Sequence, residues 1–137
     1  MDPIDARIVK ILQADSRRPF VEIATQIGLS ESAVRRRVKN LTRRAIIKKF
    51  TVEISSGDTT SAITLISVNS TSDTSSVSGK LMELAGVEVI YEITGQYDIA
   101  AVISAPSISQ INKCIDDVRK TEGVSDTNTV IILKTIR

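Results

Sequence analysis

Apolar residues recur at helical spacing through the first forty positions of the chain and then shift to an alternating, strand-like period. Ile4, Ile8, Ile11 and Leu12 make one stripe of a helix, with Asp2 as its cap and Pro3 suited to its first position. After the polar Asp15-Ser16-Arg17-Arg18 stretch, Pro19 can open a second helix with Val21, Ala24 and Ile27 on one side, and Gly28 stands where a C-terminal cap belongs. Leu29 leads into Ser30, a suitable N-cap for a third helix that turns Ala33, Val34, Val38 and Leu41 inward. Three helices joined through the tight Gly28-Leu29-Ser30 turn predict a helix-turn-helix domain over residues 1–50.

Phe50, Val52 and Ile54 alternate with Thr51, Glu53 and Ser55 as a half-exposed strand does, and the Ser55-to-Thr60 stretch reads as a linker. Residues 51–60 are therefore expected to form a linker strand and hinge. Beyond them, 61–137 reads as strand, helix, strand, strand, helix, strand. The strands are expected at Ile63–Val68, Val87–Ile93, Ile99–Ile103 and Val130–Leu133. The helices carry Val77, Leu81 and Leu84 behind an Asp73 cap, and Ile111, Ile115 and Val118 behind Ser107 or Ser109. Gly86-Val87 and Gly123-Val124 each pass from helix to strand. The fold class is thus α+β, a helix-turn-helix followed by a ferredoxin-like βαββαβ domain. Helices on one face of such a sheet leave the other face to be covered, which predicts a homodimer.

Composition narrows the chemistry. The 137 residues include no histidine and one cysteine, Cys114, so neither an internal disulfide nor a histidine-based zinc site or catalytic triad can be built. No cofactor or metal is expected. No apolar run approaches the roughly 20 residues needed to cross a bilayer, and no signal region follows Met1, so a cytoplasmic location is expected. Glu88 with Glu92 on one strand, and Asp116-Asp117 on a helix, are the carboxylates an enzyme could use. They lack a nucleophile, a phosphate loop or metal-ligand spacing, and the protein is expected not to be an enzyme.

The net charge of +2 hides an asymmetry: residues 1–53 hold twelve Lys/Arg against six Asp/Glu, and the rest six against ten. Only the first part is suited to a polyanion. Arg35, Arg36, Arg37, Lys39, Arg43, Arg44, Lys48 and Lys49 crowd into and behind the third helix. A charged helix is usually only a solvated face, but here it follows a helix-turn-helix turn. Its first turn offers Ser30, Glu31 and Ser32 to base edges, and Arg35, Arg36 and Lys39 lie on the outer side, with the two arginines best placed for the major groove. Arg43, Arg44, Lys48 and Lys49 are expected to hold phosphates, and Arg37 to brace the fold. The sequence therefore points to specific binding of double-stranded DNA. A non-specific architectural DNA-binding protein is the alternative.

The whole chain resembles the leucine-responsive regulator (Lrp/AsnC, feast/famine) family of transcription regulators. The resemblance runs through Asp2-Pro3-Ile4-Asp5-Ala6-Arg7-Ile8-Val9, Glu22-Ile23-Ala24, Leu29 to Val38 and Thr94-Gly95-Gln96-Tyr97-Asp98. It implies a winged helix-turn-helix, a homodimer assembling to tetramers or octamers, a pseudo-palindromic operator and control by a small amino acid. Lysine is a candidate, since archaeal relatives include regulators of lysine biosynthesis. One departure stands out: Ala45-Ile46-Ile47 replaces the family's glycine followed by Val-Ile, so the turn there need not use a left-handed residue.

An α-amino acid needs backbone N–H groups for its carboxylate and a fixed acceptor for its ammonium. Gly95 allows close backbone approach and Asp98 could face the ammonium, although Gly and Asp are also ordinary residues of a hairpin turn. The resemblance adds Tyr97, Ile99, Thr127 and Thr129 to this effector site, the last strand belonging in that case to a neighbouring subunit.

Overall fold

Asp2 opens the chain's first helix by accepting a hydrogen bond from the Asp5 N–H at 2.8 Å, which satisfies one of the N–H groups left free by the first turn. In the computed structural model, which describes residues 1–55 and 57–137, this helix is α1 (Pro3–Ala14). Helix α2 (Phe20–Ile27) follows, ended by Gly28 at φ +76°, and α3 (Glu31–Arg43) begins behind Ser30, whose hydroxyl accepts from the Ala33 N–H. Pro19 caps α2 from outside and does not occupy its first turn. The inward stripe of α2 also differs from expectation: Ile23 and Ala24 are buried, while Val21 is 56% exposed. Ile8, Leu12, Ile23, Ala24, Val34 and Val38 form the core of this unit, Met1–Ser55, with Phe20 and Ile27 packed against it.

At the end of α3 the Ile46 N–H bonds the Leu41 carbonyl at 2.9 Å and the Ala45 N–H bonds the Thr42 carbonyl at 3.0 Å. This pair of bonds is the Schellman termination, and it places Ala45 at φ +56°. The expectation that the alanine frees this turn from a left-handed residue is therefore incorrect. The hydrogen bonds and the packing of Ile47 on the core outweigh the steric cost of the alanine Cβ.

Phe50 to Ile54 form no strand. Phe50, Val52 and Ile54 are exposed, because alternation alone supplies no partner edge. Lys48 and Lys49 precede them in the same irregular stretch, so no paired strands stand at the wing position. Of the expected linker, Ser56 lies outside the described residues, and Thr60 already belongs to a strand.

The second unit contains β1 (Thr60–Val68), α4 (Thr74–Met82), β2 (Val87–Glu92), β3 (Ile99–Ala105), α5 (Ile108–Lys120) and β4 (Val124–Ile131). Its antiparallel sheet has the order β2-β3-β1-β4. Ala62, Ile66, Ile99, Ala101 and Ile103 point to the helices and are buried with Val77, Leu81, Ile111, Cys114, Ile115 and Val118. Cys114 is a core residue whose burial pushes its thiol upward. Asp73 and Ser107 cap the two helices. Gly123 is required where it stands, since at φ +97° a Cβ would lie 2.6 Å from Val77 Cγ2.

Two strands depart from expectation. Strand β4 begins at Val124 and ends at Ile131, six residues earlier at its start than the apolar run suggests, because a polar edge strand carries little hydrophobic signal. Leu133 lies beyond it and is 95% exposed. In β2 a register shift between Val87 and Val89 turns the strand over, so that Val87 and Ile90 meet the core while Val89 and Tyr91 face away.

Candidate DNA and effector interfaces

The outer side of α3 is a basic surface. Arg36, Arg37, Lys39, Asn40 and Arg43 line an open groove of about 490 Å³. Val34, Val38 and Leu41, buried on the opposite side, fix which residues face outward. Arg43 is steadied by donating to the side-chain Oδ1 of Asn40 at 2.9 Å, whereas Arg36 and Lys39 are exposed and form no ion pair among the described residues. Such a surface can donate to base edges or phosphates without first breaking an internal bond.

The other expected contacts divide. Ser30 and Ser32 are exposed, but their hydroxyls lie 3.2 Å apart and Ser30 also caps α3. Lys48 and Lys49 are exposed at the end of this unit. Arg37 turns away from solvent to donate to Asp2 at 2.7 Å and Asp5 at 2.9 Å, which agrees with a bracing role. Its guanidinium pKa is raised by hydrogen bonds to Asp2 and then Asp5. The Asp2 carboxyl is held below its ordinary range by the Asp5 N–H and then by Arg37. Arg35 is held by two groups: it donates to Glu31 at 2.6 Å and lies over the Phe20 ring, 5.2 Å from its centroid. Phe20 escaped the reading of the sequence. The only signal was an aromatic at the start of α2 in a chain with just two phenylalanines.

The expected effector residues fall into two groups within one chain. Gly95, at φ +112°, is exposed in the β2–β3 turn, and Tyr97 and Asp98 are half-buried. Asp98 holds the turn to β1: its N–H donates to the Ile66 carbonyl at 2.9 Å and its carboxylate accepts from the Val68 N–H at 2.8 Å. Ile99 is buried in the core, so only its backbone can face a ligand. Thr127 and Thr129 instead line a groove of about 620 Å³ between α5 and β4, with Asn112, Asp116 and Arg119. Arg119 donates to Thr127 at 3.2 Å, and the Thr129 hydroxyl lies 3.0 Å from that of Thr64. Ile99 pairs with Ile66 and Ile66 with Thr127, so the turn and the groove stand about two strand spacings, roughly 10 Å, apart.

Among the described residues no group of acidic, cysteine or histidine side chains could hold a metal ion, and no helix is long and apolar enough to cross a membrane. Glu92 accepts from the Ser75 hydroxyl, and Asp116 pairs with Arg119.

Residues 1–42 match the AsnC-type helix-turn-helix domain, and residues 61–137 match the Lrp/AsnC ligand binding domain. The chain belongs to the Lrp/AsnC family. It is 39% identical over 134 residues to the HTH-type transcriptional regulator LysM of Sulfurisphaera tokodaii, covering 98% of this chain and 96% of the relative. It is 36% identical to the HTH-type transcriptional regulator FL11 of Pyrococcus furiosus, covering 98% and 90%. A feast or famine regulatory protein from M. tuberculosis, solved in complex with L-methionine, superposes with a TM-score of 0.90 at 29% identity, covering 99% of this chain and 94% of that one. The protein is a helix-turn-helix transcription regulator with an Lrp/AsnC ligand binding domain.

Proposed function

We propose that this Lrp/AsnC regulator binds a pseudo-palindromic operator as a homodimer, reading bases with Arg36, Lys39 and Arg35 and holding phosphates with Arg43, Lys48 and Lys49. Ser30, Glu31 and Ser32, exposed at the start of α3, are offered to base edges. The observation that carries this reading is the basic groove on α3, whose Arg36 and Lys39 are exposed and form no ion pair among the described residues. A helix with its buried stripe fixed in the core and cations on the outer side suits the major groove, and two copies supply two half-sites.

The dimer is supported by the sheet face opposite α4 and α5. Ile63, Leu65, Ala100 and Val102 lie there, with the exposed Val89, Tyr91 and Val130, and this apolar surface fits a second copy. The separation of the Gly95–Asp98 turn from Thr127 and Thr129 supports an effector site completed by a neighbouring subunit. In it, the turn's backbone receives the amino-acid carboxylate and the threonines of another chain close the pocket. Such a site couples ligand binding to assembly into tetramers or octamers, because a ligand held between dimers binds only the assembled state. Lysine is the first effector to test, given the similarity to LysM.

Selection of bound fragments from randomised DNA with the full-length protein, with and without each amino acid, tests the proposal. A recovered inverted repeat bound roughly 10³-fold or more above random DNA supports it. Equal affinity for all fragments would establish the architectural alternative. Light scattering unchanged by every amino acid would remove the effector coupling.

A further inference from the structure

Arg35 differs from the exposed Arg36 and Lys39 on α3 in being held before any ligand arrives. Its Nη2 donates to Glu31 Oε1 at 2.6 Å, one helical turn back, and its guanidinium carbon lies 5.2 Å from the centroid of the Phe20 ring. Phe20, at the start of α2, is half-buried against the core cluster of this unit and offers Arg35 a surface fixed by the fold. The Arg35 side chain remains 64% exposed, so most of its five N–H donors stay open to solvent. A free arginine loses rotamer freedom when it is fixed on a ligand. One already seated on a ring and tethered by a carboxylate has lost much of that freedom beforehand.

We infer that Phe20 and Glu31 are positioning residues that preset the Arg35 guanidinium to read one guanine of the operator, through its O6 and N7 acceptors. Resting on the DNA reading above, this makes α2 a determinant of sequence preference even though Phe20 touches no base. One feature favours a base over a phosphate: the Glu31 carboxylate beside Arg35 disfavours a phosphate at that position while leaving a neutral base edge acceptable.

The test is a single-base-pair scan of the selected operator at fixed salt with the full-length protein and four variants. Arg35→Ala should abolish discrimination at one G·C pair in each half-site. Phe20→Leu, which keeps an apolar side chain in the core but removes the ring face, and Glu31→Gln, which keeps the size but removes the charge, should each lower discrimination about tenfold at that same pair and no other. Phe20→Tyr, which restores the ring face, should recover it, and thermal melting of each variant separates these effects from loss of fold. If Arg35→Ala loses the pair while Phe20→Leu and Glu31→Gln keep it, the positioning role is overturned and the DNA reading stands. If Arg35→Ala alters no position, it is Arg35 as a base reader that fails.

Discussion

Arg37 on α3 donates to the Asp5 carboxylate on α1 across 2.9 Å, and this pair ties the basic helix to the first helix of the domain. Asp5 is one of two buried polar residues among the described ones, with 7% of its surface exposed, so its carboxylate oxygens rely on that hydrogen bond in place of water. Asp5→Ala should lower the unfolding free energy by about 1.5–3 kcal/mol, the range for losing a hydrogen bond to a charged group. Chemical denaturation read by circular dichroism measures it. Because α3 also loses a tether, the variant should bind operator less tightly at temperatures where it is still fully folded.

Asp2 gives this tether an acid limit. Its carboxyl is held below the ordinary value of 3.8 by the Asp5 N–H and then by Arg37, so the folded state favours the carboxylate. A depressed carboxyl pKa contributes stability that is present above the unfolded value and lost as pH falls through the folded one. Stability should therefore be insensitive to this group above about pH 5 and decline below about pH 4. Asp2→Asn, which keeps a cap but cannot ionise, should flatten that part of the acid limb in a series of melts from pH 6 to about pH 2.

The left-handed Ala45 points to a stabilising change. At φ +56° the alanine Cβ crowds the backbone, while the Schellman bonds of Ile46 and Ala45 need only the backbone conformation. Ala45→Gly removes the crowding and leaves both bonds. Glycine's greater freedom in the unfolded chain offsets part of the gain, so the net should be about 0.5–1 kcal/mol in favour of the variant. A melting temperature at or below that of the wild type would show that the turn is not strained.

Much of this was legible in the chain because strong local signals agreed with the tertiary fold. The caps Asp2, Ser30 and Asp73 and the glycine at 28 each mark a helix end found in the structure, whereas Gly86 and Gly123 stand immediately before β2 and β4, since α4 already ends at Met82, short of Leu84, and α5 at Lys120. Signals failed where a residue's place is set by something distant or by another chain. The Val87–Val89 register shift, the polar strand β4 and the unpaired Phe50–Ile54 stretch have no local signature. At the candidate sites the outward set on α3 followed from helical period. The hold of Phe20 on Arg35 and the Asp98 bond to Val68 join residues fifteen and thirty positions apart, which no periodicity reports.

The two roles proposed for the cations differ in what salt should do to them. Arg36→Ala should cost about 1–3 kcal/mol of operator binding and relax preference at one position, since a base contact is lost. Lys49→Ala should weaken operator and random DNA by the same factor and reduce the slope of log K against log salt by about 1 for each phosphate contact removed. Titrations of both variants at several salt concentrations separate the two. Equal slopes for Lys49→Ala and wild type would take Lys49 off the phosphate backbone.

The open sheet face offers the sharpest test of dimerisation. Leu65 pairs with Ala100 on one side and Asn128 on the other, at the middle of the surface that also carries Ile63, Val102 and Val130. Leu65→Lys places a cation there, and a charge without a partner in an apolar interface costs more than the contact it replaces. The side chain points away from the core formed with α4 and α5, so the domain should keep its fold and its near-native circular dichroism. Sedimentation should then give a monomer. Operator binding should fall by about a hundredfold, because a second half-site engaged through a dimer acts at high effective concentration and a monomer forfeits it. Each half-site should still be bound with the weak affinity of a single α3. Retention of a dimer by Leu65→Lys would move the interface elsewhere, to the exposed Phe50, Val52 and Ile54 of the first unit or to Leu133 and Ile136 beyond β4.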